Sequence, residues 1–216
     1  MSWIRHCAVL LLIGCTLTLS SGCRTLASNA LYVLKGDKID ALYPGLKGKR
    51  VAVICASSSP ASGPNSPAGL VGRQTARILQ QRISDVEIVP IEEVADWIDR
   101  NNWNEIDYHE VGRGVSADLV VLLDIESYSI KDGATLYKGR STVTTTVYDI
   151  ADEGKVVYQG NTYDFTFPEN GARHSTETSE ASFQRAYTDA LSRHLAKDFF
   201  SYDKGEDFAQ DATLIR

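Results

Sequence analysis

The chain has 216 residues, with 28 acidic side chains against 22 basic ones and a formal net charge of −6. This length is suited to one domain of ordinary size with tails. The acidic balance argues against nucleic acid as a partner, because phosphate binding needs clustered Lys and Arg. It also argues against an electrostatic attachment to anionic lipid.

The first 23 residues have the pattern of an export signal. Arg5 precedes a 13-residue apolar run, Cys7–Leu19, and the small residues Ser-Ser-Gly then lead to Cys23. The run is too short to span a bilayer as a helix, which takes roughly 20 residues. A basic start, a short apolar core and small residues before the cleavage point are typical of a secretory signal.

The cysteine after Ser-Ser-Gly makes this segment resemble a bacterial lipoprotein signal, in which the thiol receives the lipid and becomes the first mature residue. We predict lipidation at Cys23. Cys15 is the alternative, because Leu12-Ile13-Gly14-Cys15 matches the motif letters better but leaves a shorter apolar core. An ordinary secretory signal or an uncleaved anchor is the remaining interpretation. The residue after Cys23 is Arg24 and not the aspartate that is associated with inner-membrane retention in some bacteria. This favours the outer membrane.

These observations divide the chain into four segments. They are a signal peptide at 1–22, the lipidated cysteine and a tether at 23–48, a globular domain at 49–200 and a polar C-terminal tail at 201–216. If Cys23 is lipidated, Cys55 has no internal disulfide partner. Its place in the apolar run Val51–Ala56 predicts a buried, inert thiol.

Hydrophobic periodicity predicts an alternating order of strands and helices in the globular domain. The predicted elements are a strand at Val51–Ala56, a loop at Ser57–Pro67, a helix at Leu70–Ile83, a strand at Val86–Val89, a helix at Glu92–Arg100, a short helix at Glu105–Val115, a central strand at Asp118–Asp124, strands at Ser141–Asp149 and Lys155–Phe167 that form a hairpin, and a helix at Ser179–Phe200. This order predicts an α/β (α+β) fold with a single mixed sheet, an antiparallel hairpin and helices packed on it.

The motifs that resemble catalytic or binding signatures do not fit their chemistry. Gly112–Ala117 superficially matches a dinucleotide fingerprint, but it precedes a strand instead of following one. The Ser57–Pro67 loop is in the place of a phosphate loop but lacks the Gly-Lys-Ser/Thr ending. His109, His174 and His194 are widely separated in the sequence. We therefore predict no catalytic residue, no metal ligand and no cofactor; the alternative is a small-molecule binding module or hydrolase that uses the Ser57–Pro67 loop.

Aromatic residues are spread over the predicted hairpin region. Packing within the sheet accounts for most of them, but any that face outward would supply contact area for a partner protein. The candidates for partner binding are Tyr148, Tyr158, Tyr163 and Phe165. The exposed edge of such a sheet could also accept a strand from another protein.

Three stretches, Glu110–Leu122, Val143–Ile150 and Gly154–Gly160, are similar to CsgG-like and LpoB-like bacterial envelope lipoproteins. Those proteins share a small α/β domain related to the amino-terminal domain of TolB. Asp149 and Gly154-Lys155 match the spacing of the hairpin motif Asp-x(4)-Gly-Lys-x-Val. The pore-forming segments of CsgG have no evident counterpart, and no penicillin-binding-protein contact motif carries over.

The resemblance implies a non-catalytic, lipid-anchored adaptor that faces the periplasm. Its expected partners are the membrane, through the N-terminal lipid, and another protein of a cell-wall synthesis, transport or secretion complex. The identity of that protein and the oligomeric state are left open.

Overall fold

A computed structural model of the chain describes residues 38–57, 66–101 and 107–205. The signal segment with Cys15 and Cys23, most of the Ser57–Pro67 loop and the chain after residue 205 lie outside the described residues. The described elements are β1 (Lys38–Ile39), β2 (Arg50–Ser57), α1 (Pro67–Arg82), β3 (Glu87–Ile88), α2 (Ile91–Arg100), α3 (Tyr108–Gly114), β4 (Leu119–Lys131), β5 (Leu136–Asp149), β6 (Lys155–Gln159), β7 (Tyr163–Phe167), β8 (Arg173–His174), α4 (Glu180–Ala196), a 3-10 turn (Lys197–Phe199) and β9 (Tyr202–Asp203).

The main sheet is mixed. Its order is β3-β2-β4-β5, and β6, β7 and β8 pair in succession along the outer side of β5. Strand β2 is parallel to both β3 and β4, whereas β5 is antiparallel to β4 and to the three outer strands. Strands β1 and β9 form a separate antiparallel pair. The predicted α+β class with one mixed sheet and packed helices is confirmed.

Helices cover both faces of the β2–β4 region, which explains the continuous apolar runs in these strands. Along β2, Val51 and Val53 belong to a core shared with α1 and α4, whereas Ala52 and Ile54 belong to a second core shared with α2 and α3. The alternation follows from the two-residue repeat of a strand. Two hydrophobic cores therefore lie on opposite sides of one sheet.

Tyr187 of α4 lies at the centre of the first core. Its ring is fully buried, and its hydroxyl is 2.5 Å from the Ser141 hydroxyl on β5. Below the ring is Gly139, where an added Cβ would collide with the Tyr187 ring carbons. Glycine is therefore required at this strand position because the aromatic ring occupies the space of a side chain.

Capping side chains determine where the helices begin. The Ser66 hydroxyl accepts a hydrogen bond from the Gly69 backbone N–H at 3.1 Å, and Pro67 is the first residue of α1. The helix thus begins three residues before the predicted Leu70, because a polar cap followed by proline is a favourable start. Ser179 caps α4 in the same way through the Ser182 N–H.

The hairpin differs in detail from the prediction. The predicted antiparallel hairpin is present, because β5 pairs with β6 across the turn at residues 150–154. A second hairpin joins β4 to β5, which are longer than predicted and connect through a turn with Gly133 at φ +84°. The predicted strand Lys155–Phe167 is divided into β6 and β7, which both pair with β5. Strand β5 thus pairs first with β7 and then with β6 along its length. Strand β6 also contains a bulge at Val157.

The described part of the predicted tether packs on the domain, so the folded unit begins before Lys49. Leu46 is fully buried, and the Tyr43 backbone N–H donates to the Asp198 carbonyl at 2.8 Å. Strand β1 pairs with β9, which was expected to be part of the polar tail. The physical reason is that Tyr43 and Leu46 cover the apolar end of the first core beside Phe199.

We expect Leu46→Ala to lower the free energy of unfolding by about 2–5 kcal/mol, because it deletes a fully buried side chain. Leu42→Ala is the matched control: Leu42 is 69% exposed, and its substitution should change stability by less than about 0.5 kcal/mol. Urea denaturation of the two variants measures the difference. Equal, small effects would show that this segment is a tether after all.

Candidate interaction surface

The outer edge of the sheet is formed by β6, β7 and β8. Each of these strands pairs with β5 on one side, and within the described ranges no strand pairs with the other side. The opposite edge is β3, which has only two residues. An unpaired strand edge presents backbone N–H and C=O groups that can pair with another chain. The long free edge is therefore on the β6–β7 side.

Three large hydrophobic side chains are exposed along this edge. Val156 is 44% exposed, Val157 is 39% exposed and Tyr163 is 46% exposed. In a regular strand, adjacent residues point to opposite faces. Here the register shifts by one residue opposite Val147 and Tyr148, so Val157 is the extra residue of a bulge beside Val156. The bulge thus leaves two adjacent valines exposed. We name Val156, Val157 and Tyr163 the edge patch.

The four aromatic residues predicted for partner binding do not form one surface. Tyr148 lies on the α2–α3 face, where it stacks on Tyr108 with ring centroids 5.6 Å apart. Tyr158 and Phe165 lie on the other face and contact the core of α1 and α4. Because the strands alternate, the two groups are separated by the sheet itself. Only Tyr163 combines an edge position with high exposure.

Tyr158 is a packing residue that holds the N-terminal segment. Its ring stacks on Tyr43 at 5.4 Å, and its hydroxyl donates to the Asp198 carboxylate at 3.1 Å. Burial, followed by the Asp198 charge, raises the pKa of the Tyr158 hydroxyl to about 12. Burial also raises the pKa of the Asp198 carboxyl, while the hydrogen bond from Tyr158 opposes that shift. The pair therefore joins β6 to the end of α4.

Tyr163 and Phe165 pack against α4 through His194. The Tyr163 ring stacks on the imidazole of His194 at 4.2 Å, and the Phe165 ring lies 5.2 Å from the same imidazole. Phe165 also stacks on Tyr187 at 5.9 Å. The inner side of Tyr163 is thus fixed while nearly half of the residue stays exposed. A ring that is already held loses little conformational entropy when a partner covers it.

Cys55 lies beside α1 and is half-buried, whereas its apolar run predicts a buried thiol. An added Cβ at Gly72 of α1 would lie 2.9 Å from the Cys55 Cβ. Burial raises the pKa of the thiol to about 12, so the thiol stays protonated near neutral pH. A protonated, covered thiol is a poor nucleophile. Cys55 therefore contributes to packing.

The alternative site at Ser57–Pro67 is described only at its ends. Ser57 is the last residue of β2, and Ser66 caps α1. The three histidines of the described ranges lie apart: His109 beside Gly154, His174 bonded to Thr176, and His194 under Tyr163. No group of three or more His, Cys, Asp or Glu side chains in the described ranges could hold a metal ion. Among the same residues, no helix is both long enough and apolar enough to cross a membrane.

The exposed valines are the surface residues that sequence reasoning missed. A Val-Val pair in a strand pattern favours burial, and the sequence pattern contains no signal for a bulge at this position. Among the described residues of β6, Tyr158 packs against the core of α1 and α4, and the other four are exposed. That arrangement is a property of the packed elements and not of the local residues.

No protein-family model matches this sequence, and no curated protein matches it significantly. Similar solved structures have low identity. The PelC dodecamer from Paraburkholderia phytofirmans is 18% identical over 74% of this chain and 93% of its own, with a TM-score of 0.42. Lipoprotein GNA1162 from Neisseria meningitidis is 11% identical over 68% and 97%, with a TM-score of 0.44.

The LpoB C-terminal domain from Salmonella enterica is also similar, with 10% identity over 57% of this chain and 87% of its own, and a TM-score of 0.38. Structural neighbours thus include bacterial lipoproteins and the LpoB domain. No residue role is transferred from them at these identities and scores. The CsgG-like and TolB-like parts of the resemblance stay predictions.

We expect Tyr158→Phe to reduce the loss of stability at alkaline pH. The folded protein holds the Tyr158 proton up to about pH 12, whereas an unperturbed tyrosine releases it near its ordinary pKa of 10.0. Between these values the folded state binds more protons than the unfolded state, so stability falls as the pH rises. The urea midpoint of the wild type should therefore fall more steeply in this window than that of the variant. Parallel curves would contradict the assignment.

Proposed function

We propose that this chain is a non-catalytic, lipid-anchored adaptor of the bacterial cell envelope. In this proposal Cys23 carries the lipid, the domain faces the periplasm from the outer membrane, and the outer sheet edge binds another envelope protein. One observation carries the partner-binding part: Val156 and Val157 are adjacent, and both are exposed on an edge strand. The export signal at the N-terminus supports the anchor.

The edge patch favours the addition of a strand from the partner. In strand addition, main-chain hydrogen bonds supply affinity and side-chain contacts supply specificity. Natural edge strands are usually blocked by charges, prolines or covering elements. In β6, Lys155 precedes the two valines, and its ammonium pairs with Asp152 at 3.2 Å in the preceding turn. The valines themselves have no such protection in the described structure.

The edge patch is small, so binding through it needs backbone pairing as well as side-chain contacts. Covering the exposed parts of two valines contributes on the order of 1 kcal/mol each, because full burial contributes about 1.5–3 kcal/mol. Micromolar binding requires about 8 kcal/mol. The valines are therefore too small to hold a partner alone, and backbone pairing along β6 together with the Tyr163 ring has to supply the remainder.

The adaptor role agrees with the resemblance to LpoB-like lipoproteins, which implies binding of another envelope protein. In this proposal the partner belongs to a cell-wall synthesis, transport or secretion complex. The exposed valines and Tyr163 support an extended partner segment that carries apolar side chains.

We expect a photoreactive amino acid at position 157 to crosslink the partner in living cells. A probe in place of Asp99, an exposed residue of α2, should give no adduct. Adding Val156→Lys to the 157 probe should reduce the adduct about tenfold, because a charge on the edge opposes strand addition.

The matched control for that substitution is Leu136→Lys, which places the same charge on another exposed apolar residue, at the start of β5. It should leave the adduct unchanged. An adduct that is equally strong with Val156→Lys, or a partner captured equally from position 99, would contradict the proposed surface.

We expect metabolic labelling with a fatty-acid analogue to modify the wild type and Cys15→Ser but not Cys23→Ser. The lipoprotein signal peptidase inhibitor globomycin should make an uncleaved form accumulate, in which the lipid is already attached to the Cys23 sulfur. Labelling that persists in Cys23→Ser and disappears in Cys15→Ser would move the anchor to Cys15. Absence of labelling in all three proteins would contradict lipid anchoring.

A further inference from the structure

A groove runs between α1 and α4 on the surface of the domain. The helices contact each other through the Ser192 hydroxyl, which donates to the Val71 carbonyl at 3.1 Å. Two adjoining clefts of about 330 and 490 Å³ follow the outer side of this contact. Both are lined by Gln74 and Asp189, whose side chains are hydrogen-bonded at 2.7 Å. The clefts therefore form one continuous surface feature.

This groove is basic although the chain as a whole is acidic. Its lining includes the cationic side chains Arg73, Arg77, Arg82, Arg185, Arg193 and Lys197. Two carboxylates, Asp189 and Asp203, line the clefts with them. Asp189 pairs with Arg193 at 2.8 Å, and Glu92 of α2 pairs with Arg73 at 3.2 Å. The net charge of −6 describes the whole sequence and does not show where the charges lie. Folding places about a quarter of the basic residues along one groove.

Helices α1 and α2 carry opposite charge, and one ion pair joins them, between Arg73 of α1 and Glu92 of α2 at 3.2 Å. Helix α1 contains three arginines and no acidic residue. Helix α2, which packs on the opposite face, contains four acidic residues and one arginine. A molecule with this arrangement turns its α1–α4 side toward a negative surface, because the opposite side is repelled.

The most exposed cations of the groove are available to a ligand. Arg77, Arg82 and Arg185 have no carboxylate within ion-pair distance among the residues that the structure describes. Arg77 bonds to the Gln74 amide oxygen, Arg185 bonds to the Ser182 hydroxyl, and Arg82 lies over the Phe200 ring at 4.9 Å. These contacts orient the guanidinium groups without neutralising them.

The N-terminal part of the chain enters the domain beside one end of this groove. Lys38, the first described residue, pairs with Asp203 in the β1–β9 ribbon, and Asp203 lines the groove. Lys38 follows Cys23 by 15 residues. A segment of this length reaches at most about 50 Å when fully extended. A lipid on Cys23 thus keeps the domain within this distance of the bilayer, and the chain enters the domain on the basic side.

We propose that the α1–α4 groove is a membrane-docking surface for anionic phospholipid headgroups. The inference rests on the anchor of the proposed function, which brings the groove to the bilayer. The cations then bind headgroup phosphates, and the edge patch remains free for the partner. Each basic residue at an anionic surface strengthens the association about fivefold, and salt weakens the effect.

The test uses the lipidated full-length protein in phospholipid vesicles with a nitroxide-labelled headgroup. A fluorophore is attached at Gln81→Cys in the groove or at Asp99→Cys on α2. In vesicles that contain phosphatidylglycerol, the groove fluorophore should be quenched at least about twofold more than in pure phosphatidylcholine, and high salt should remove the difference. The α2 fluorophore should show no such difference.

Charge reversal provides the specificity control. R77E/R185E should abolish the phosphatidylglycerol-dependent quenching. R77Q/R185Q, which only removes the two charges, should remove most of it. R100E/R113E changes the net charge equally on the α2–α3 side and should leave the quenching intact. Circular dichroism confirms that each variant is folded.

The outcomes separate the groove from the anchor. Vesicle association with equal quenching at both fluorophores, or quenching unchanged in R77E/R185E, would overturn the groove and leave the anchor in place. No vesicle association of the purified wild type would overturn both. Salt-sensitive binding to phosphatidylglycerol that persists in Cys23→Ser and disappears in R77E/R185E would support the groove independently of the anchor.

Discussion

The burial of β2 and of the first half of β4 on both faces is the constraint on which the remaining structure depends. Val51 and Val53 point to one side of the sheet, and Ala52 and Ile54 point to the other, so neither side can be left to water. Helices α1 and α4 cover one face, and α2 and α3 cover the second. The chain can place them there because the parallel pairs of β2 require long crossover connections, which the helices provide.

The same constraint explains where the candidate surfaces lie. Helices bury β2 and the first half of β4, whereas β6 is exposed except at Tyr158, so Val156 and Val157 lie open at the free edge. On the first face, α1 and α4 turn their apolar sides to the sheet and their arginines outward, which creates the basic groove. The edge patch therefore results from strand residues that no described helix buries, and the basic groove results from the amphipathic character of α1 and α4.

Sequence reasoning succeeded where a residue pattern has a local cause. Continuous apolar runs identified β2 and β4, and the cap at Ser66 explains the start of α1. It was less accurate for contacts between distant segments. Leu46 lies in a polar stretch that resembles a tether, yet it is buried against the end of the core. The four predicted aromatic residues divide between two faces because their orientation depends on strand register, which a bulge alters.

The sequence alone determined the fold class and the order of the principal helices and strands, and it predicts an export signal. These properties depend on composition and short-range periodicity. The tertiary structure decided which strand edge stays free, that the segment from Lys38 belongs to the domain, and that basic side chains gather in one groove of an acidic chain. The physical reason is that exposure and charge density depend on neighbours distant in sequence, and only packing brings those neighbours together.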